Sequence, residues 1–309
     1  METPILFIIF NRPETTKNVF EAIRQIKPKK LFIAADGPRD NKAGEKDLCD
    51  ETKKIVLGKI DWPCEVKTLF RDKNLGCGKA VSQAINWFFD NVEEGIILED
   101  DCLPDQTFFQ YCTDLLNKYR SNEKIFMISG DNFLPKSLRP KESYYFSQIP
   151  HIWGWATWKR AWQKYNFEMN DFPTFKEEKI IEKIWSDKKA QNYWLEKLNI
   201  TANGDLDTWD YQWVYTIWKN RAYSIVPNVN LVTNIGFGDQ GTNTKNPKDI
   251  SANIPLEGIS FPLTNSATLC DIGDNYENKQ SYPKNLLIKK ILRKIGLFKY
   301  TKSIYLKLK

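Results

Sequence analysis

Through the first third of the chain, short apolar runs alternate with stretches of helical period, and each run stops at a polar cluster. Strands covered on both faces by crossover helices read as unbroken apolar runs, so the pattern limits the chain to an α/β architecture with a mainly parallel central sheet. Ile5 to Phe10 reads as the first strand, Glu14 to Ile26 as the returning helix with Val19, Ala22, Ile23 and Ile26 on one stripe, and Leu31 to Ala35 as the second strand. A helix near Glu45 to Leu57, a strand at Glu65 to Phe70, a helix at Lys79 to Phe89 and a strand at Gly95 to Leu98 continue the series. In open sheets of this kind ligands sit beyond the carboxyl ends of the strands, which gathers Asn11-Arg12, Asp36-Gly37, Arg71-Asp72 and Glu99-Asp100-Asp101 on one rim.

The second half has a different texture. Nine of the eleven tryptophans lie between Trp153 and Trp218, in a segment whose periodicity predicts helices around Ala156 to Lys164, Ile180 to Leu198 and Trp209 to Asn220. Aromatic density of this order makes a core or a sugar-stacking wall, and core is the commoner use. The division expected is a nucleotide-binding half at 1–120, a helical, aromatic-rich acceptor and catalytic half at 121–245, an irregular linker rich in Pro, Asn, Gly and Ser at 246–282, and a basic tail at 283–309.

Charge narrows the partners. Nine Lys and Arg and no acid fall between 284 and 309, so the net charge of +6 becomes −3 for the rest of the chain once those nine are set aside. An acidic body argues against a nucleic-acid face. In the tail, Leu287, Ile288, Ile291, Leu292 and Ile295 share a helical stripe, with Lys289, Lys290, Arg293 and Lys294 turned away. Such a helix either lies in an anionic membrane interface or packs on the body with its basic face in water. The six cysteines form no CxxC pair and read as reduced thiols. With no apolar run of spanning length and no signal-peptide pattern, cytoplasmic residence is expected, with peripheral attachment at the inner face of the membrane through residues 284–309 if the tail binds lipid.

The strongest chemical signal is Ile96-Ile97-Leu98-Glu99-Asp100-Asp101. Three consecutive acids at a strand end repel one another and raise one another's pKa unless a cation or hydrogen bonds compensate. A divalent cation is the economical explanation; a solvated acidic turn is the alternative. Strand alternation would put Glu99 and Asp101 on one side and Asp100 on the other. Mg²⁺ or Mn²⁺ takes octahedral oxygen ligands, several of them from phosphates and water, and so suits a metal–diphosphate complex held by few side chains. Asp36, in Asp36-Gly37-Pro38-Arg39, is placed to accept from a base or ribose, and Arg12 to meet a phosphate. The run Asn74-Leu75-Gly76-Cys77-Gly78-Lys79 opens a helix with two glycines, which lets backbone amides approach an anion, although the spacing is not that of a P-loop. Asp210, at the start of an aromatic helix, is a reasonable general base, with Asp205 and Asp207 as neighbours able to replace it. His151, the sole histidine, reads as a packing residue in a loop.

In this order these motifs resemble the GT-A nucleotide-diphospho-sugar transferases, nearest to the N-acetylglucosaminyltransferase I group and its bacterial relatives, over roughly residues 5 to 240. The resemblance implies a GT-A fold, Rossmann-like in plan, and a UDP-sugar donor. It makes Asp101 the Mn²⁺ or Mg²⁺ ligand, Glu99 and Asp100 contacts to sugar or ribose, Arg12 and Asp36 contacts to the nucleotide, and Asn74, Gly76 and Lys79 part of the donor-binding turn. His151-Ile152-Trp153-Gly154-Trp155 is similar to the Gly-Trp segment that closes the sugar site, which makes Trp155 a donor-side residue, and Trp209-Asp210 is similar to the pair that carries the base. Bacterial relatives often carry a His after the segment similar to Asn234-Ile235-Gly236-Phe237-Gly238; here Asp239 to Thr244 contains none. The activity implied is inverting transfer of the sugar to a saccharide or lipid-linked hydroxyl in bacterial surface-polysaccharide assembly. Two other classes are weighed against it: a non-catalytic carbohydrate- or membrane-binding adaptor on a degenerate transferase fold, and a sugar-phosphate nucleotidyltransferase, whose Gly-rich signature after the first strand is not matched by Asn11-Arg12-Pro13-Glu14.

Overall fold

A computed structural model describes residues 1–238, 251–252, 254–264 and 268–281. The basic tail at 283–309, the stretch Asp239 to Thr244 and part of the 246–282 segment lie outside the described residues. The elements of the first half follow the expected alternation: β1 (Ile5–Ile9), α1 (Pro13–Ile26), β2 (Lys30–Ala35), α2 (Glu45–Gly58), β3 (Glu65–Phe70), α3 (Cys77–Phe89) and β4 (Glu94–Glu99). A short β5 (Cys102–Pro104), α4 (Thr107–Tyr119) and β6 (Ile125–Ser129) follow. The second half comprises β7 (Tyr144–Ser147), β8 (Trp155–Trp158), α5 (Lys159–Trp162), α6 (Phe172–Glu177), α7 (Ile180–Ile184), α8 (Lys188–Ala202), α9 (Asp210–Lys219), β9 (Tyr223–Pro227), β10 (Val232–Asn234) and α10 (Asp271–Ser281).

Eight strands form one sheet in the order β3-β2-β1-β4-β8-β6-β9-β7. β3, β2, β1 and β4 run parallel, and β6 and β9 are parallel to each other. β8 is inserted antiparallel between β4 and β6, pairing Ile97 with Trp155 on one side and Ser129 with Trp155 on the other. The carboxyl ends of β4 and β6 therefore point the same way. β10 and β5 make a separate antiparallel ribbon.

Alternate residues of each strand serve opposite layers, as the pleat requires. Leu6, Ile97, Met127 and Trp155 face α3 and the aromatic helices, whereas Ile5, Phe7, Ile96, Leu98, Ile128 and Trp158 face the layer of α1 and α4. The segment expected to be a helix from Ala156 is instead β8 as far as Trp158, with only one helical turn after it. Each of its four residues is buried in the sheet, so the tertiary setting overrides the local period. The helix expected from Ile180 to Leu198 is broken into α7 and α8, and Asp187 caps the second by accepting from the Lys189 N–H. The 246–282 stretch, expected to be irregular throughout, ends in the eleven-residue α10, anchored by bonds between Phe146 and the backbone of Thr268 and Cys270.

Candidate active site

A cavity of about 400 Å³ opens at the carboxyl ends of β1, β2 and β4, lined among others by Arg12, Asp36, Asn74, Gly76, Glu99, Asp100, Asp101 and Asp210. Its volume is within the usual range for small-molecule sites. It thus brings together residues from both halves of the chain, from Ile8 to Asn234.

The acidic triplet does not continue the strand. β4 ends at Glu99, the next residues turn, and Asp100 and Asp101 converge on one guanidinium instead of facing opposite ways. Arg12 Nη2 donates to Asp100 Oδ1 at 2.5 Å and Arg12 Nη1 to Asp101 Oδ2 at 2.6 Å. The Phe10 N–H adds a bond to Asp100 Oδ2 at 3.0 Å. Burial works against the Arg12 charge, but Asp100 and Asp101 outweigh it and hold the guanidinium firmly protonated. Burial pushes Asp100 upward while Arg12 pulls it back. Arg12, expected at a phosphate, is therefore first the counter-ion of the two aspartates.

Glu99 is different. It is half-buried on the cavity wall, and its carboxylate has no hydrogen-bond partner among the described residues. Burial, then Asp101 and Asp100, push its carboxyl up to about 8, with Arg12 opposing. Three acids against one guanidinium leave a negative surplus that a cation would relieve. No cluster of three or more His, Cys, Asp or Glu able to hold a metal exists among the described residues. Among the described residues, Asp101 Oδ1 has only the Cys102 thiol, at 3.5 Å, as a neighbouring donor. The donor set thus fits a hard divalent ion only in the sparse manner in which most ligands come from substrate phosphate and water.

Backbone forms the rest of the walls. Ile235 N–H donates to the Asp101 carbonyl at 2.8 Å, carrying the chain over the acid cluster. A Cβ on Gly236 would lie 2.3 Å from Asp101 Oδ2 and 2.7 Å from Arg12 Nη1, so only glycine allows this approach. On the other side Asn74 donates to the Gly37 carbonyl at 2.8 Å, which holds the β3–α3 loop over Gly37. Asp36 accepts from the Gly37 N–H at 3.0 Å and the Leu75 N–H at 3.0 Å. Burial raises its pKa, and those bonds and Arg71 offset part of the rise.

The turn before α3 holds an anion, but one of the chain's own. Asp207 accepts from the Cys77 N–H at 3.0 Å and from the Gly78 N–H at 2.8 Å. Gly76 contributes room for it: a Cβ there would lie 2.6 Å from Asp207 Oδ2. With both oxygens engaged, Asp207 is committed to capping α3, and Asp205 is exposed and absent from the cavity lining. Asp210 remains. It accepts from the Thr208 hydroxyl and from the Tyr211 N–H at 2.8 Å, and burial raises its pKa against those bonds.

Two expected donor residues fall elsewhere. Lys79 is exposed on α3 and does not line the cavity, because its position on the first turn points it to solvent. Trp155 is 1% exposed and lies beneath the cavity in the aromatic core, stacked on Trp209 at 5.5 Å. Trp153 and Trp209 line the cavity instead, together with Arg39, Arg71, Thr208 and Asn234. Arg39 is the most informative of these additions. Glu45, buried in the first turn of α2, accepts from the Arg39 N–H at 2.7 Å and from Asn11 Nδ2 at 2.9 Å, so one carboxylate ties two strand-end loops together. Arg39 directly follows the Asp36-Gly37-Pro38 turn, which was its only signal in the sequence.

No protein-family model matches the chain, and no curated protein matches it. Among solved structures it is similar to S. aureus TarS 1-349, at 10% identity and a TM-score of 0.36 over 54% of this chain and 50% of that one. It is also similar to HddC from Yersinia pseudotuberculosis, at 11% identity and a TM-score of 0.32 over 56% of this chain and 86% of that one. A third is a UDP-glucose pyrophosphorylase complexed with UDP-glucose, at 12% identity and a TM-score of 0.30 over 53% and 79%. The chain spans about half the length of the TarS fragment it matches. At such scores none of the three decides an activity, and the resemblance to the N-acetylglucosaminyltransferase I group rests on the sequence motifs. No helix among the described residues is long and apolar enough to cross a membrane.

Proposed function

We propose that the chain is a metal-dependent, inverting glycosyltransferase of the GT-A type. On this reading it moves a sugar from a nucleotide-diphospho-sugar, a UDP-sugar by family likeness, to a saccharide or glycolipid hydroxyl in bacterial surface-polysaccharide assembly. One observation carries the reading: Arg12, Asp36, Glu99, Asp100 and Asp101 share a cavity with Asp210, a half-buried carboxylate from the other half of the chain.

A bound Mn²⁺ or Mg²⁺ would neutralise the departing nucleoside diphosphate as a Lewis acid, and Asp101, with Glu99 beside it, would hold it. Arg12 fixes the Asp101 carboxylate in place and brings a positive charge to the phosphate side of the cavity. Asp36, Arg39 and Arg71 form the nucleotide rim, and Glu99 orients hydroxyls of the sugar. Asp210 accepts the proton of the acceptor hydroxyl as that oxygen attacks the anomeric carbon from the face opposite the diphosphate. Burial raises its pKa towards the working pH, which makes it a stronger base, while the Thr208 and Tyr211 bonds fix its direction.

The test begins with a screen of nucleotide-sugars for Mn²⁺-dependent thermal stabilisation. With the donor in hand, Asp210→Asn should lower kcat about a thousandfold while donor affinity by calorimetry is kept. Transfer retained in that variant would move the base elsewhere, and metal-dependent binding with neither transfer nor hydrolysis would favour the adaptor.

A further inference from the structure

Helix α10 returns to the body beside β7 and docks through polar groups. Asp274, Glu277 and Asn278 are buried, whereas its apolar Ile272 is 68% exposed. Two of the buried residues engage the stretch from Ser147 to His151 and the third reaches α8. Asp274 accepts from the Gln148 N–H at 2.9 Å and the Ser147 hydroxyl at 2.5 Å. Asn278 Oδ1 accepts from Trp194 Nε1 at 2.7 Å. Glu277 Oε2 lies 2.7 Å from His151 Nε2.

His151 is the only histidine in the chain, and its ring is held from both ends. Nδ1 is 3.1 Å from the Asp131 carbonyl, opposite the Nε2 contact with Glu277, and the His151 N–H donates to Ser129 Oγ at 3.2 Å. An acceptor at each nitrogen calls for a doubly protonated ring that donates twice. Burial alone would depress the imidazolium, but Glu277 and then Asp131 outweigh it and push the pKa up to about 10. Asp274 also faces the ring, and Tyr145 faces Glu277.

From His151 a run of ring contacts leads to the cavity. Phe133 packs on the imidazole at 4.8 Å, meets the Trp153 ring edge-on at 5.1 Å, and Trp153 in turn meets Phe237 at 5.6 Å. Trp153 is a cavity-lining residue, like Asp210. We propose that Glu277 is a positioning residue for the transfer reaction: through His151 it fixes the loop of residues 148–154 and holds Trp153 in place as cavity wall. Residues 271–281 are then a working part of the site. The link to transfer rests on the glycosyltransferase reading; the coupling of Glu277 to Trp153 stands without it. Removing the Glu277 charge takes away one of the two groups that orient the imidazolium, and Phe133 and Trp153 lose the fixed surface behind them.

The test uses the full chain labelled with 5-fluorotryptophan, with the Trp153 resonance assigned by Trp153→Phe. In Glu277→Gln the Trp153 signal should shift or broaden while that of core Trp213 stays, and the single histidine should titrate below pH 7 instead of above pH 9 by NMR. Asn278→Ala loosens α10 without touching His151 and should leave Trp153 unmoved. Turnover of the donor found in the screen should fall about tenfold in Glu277→Gln with Mn²⁺–UDP affinity unchanged, and Glu277→Asp should recover part of it. If Glu277→Gln does not fold, His151→Asn probes the same path from its other end. An unmoved Trp153 signal in Glu277→Gln, an equal disturbance in Asn278→Ala, or unchanged turnover would overturn the proposal. A screen that yields no donor would defeat the glycosyltransferase reading alone, since the Trp153 signal needs none.

Discussion

Strands β4 and β6 point the same way and both lead into acids, yet the two ends have opposite fates. Beyond β4, Asp100 and Asp101 are bound by Arg12 and Glu99 stands on an open cavity wall. Beyond β6, Asp131 is 1% exposed, neither of its oxygens has a hydrogen-bond partner among the described residues, and α10 closes over the neighbouring His151. Burial pushes Asp131 up to about 7, with the charge of the neighbouring His151 opposing. An acid at a strand end is thus not in itself a ligand site. On the proposed reading, open space beside it and a counter-charge that leaves an oxygen free make the difference, and the end of β4 has both.

The sharpest way to break this contrast is to remove one acid from each end. Asp101→Asn should weaken Mn²⁺-dependent UDP binding about a thousandfold, a loss of about 4 kcal/mol of the kind seen when a buried charged partner is truncated. Asp131→Asn should leave that binding unchanged, and equal losses by calorimetry would erase the distinction. Next in size, Arg12→Ala leaves two aspartates without their counter-ion and should cost about 3 kcal/mol in urea unfolding. The pH dependence separates the ends further. His151 is raised from 6.5 to about 10, so its contribution to stability is complete below pH 6.5 and lost as the pH climbs through 10; Glu277→Gln should flatten that fall in urea unfolding followed across the same pH range. The smallest effect is at Asp131. Its raised pKa costs stability as the pH rises from about 4 to about 7, so Asp131→Asn should gain about 1 kcal/mol at pH 8 over the parent.

The parallel half was legible because its strands are buried on both faces and each crossover helix carries an apolar stripe; β1 to β4 fall within a residue or so of their expected bounds. β8 was not, since Trp155, Ala156 and Trp158 fit a helix start as well as a strand, and only the gap between β4 and β6 decides. α10 escaped notice because it docks by hydrogen bonds from Asp274, Glu277 and Asn278 and so lacks the apolar period that marks a helix. At the site, residue types at strand ends identified Arg12, Asp36 and the acidic triplet as cavity residues. Alternation misjudged how Asp100 and Asp101 turn, since it holds only while the strand lasts. The Asp207 cap and the exchange of Trp155 for Trp153 depend on which loop folds over which, and residue spacing does not contain that.

Gly236 leaves no clearance between the main chain and the Asp101–Arg12 pair. Any larger residue there would push the roof off or tear the pair apart, so this side of the chamber is closed to adjustment. On the glycosyltransferase reading, changes in which donor the chamber admits would then be written at the opposite lip, around Arg39 and Arg71.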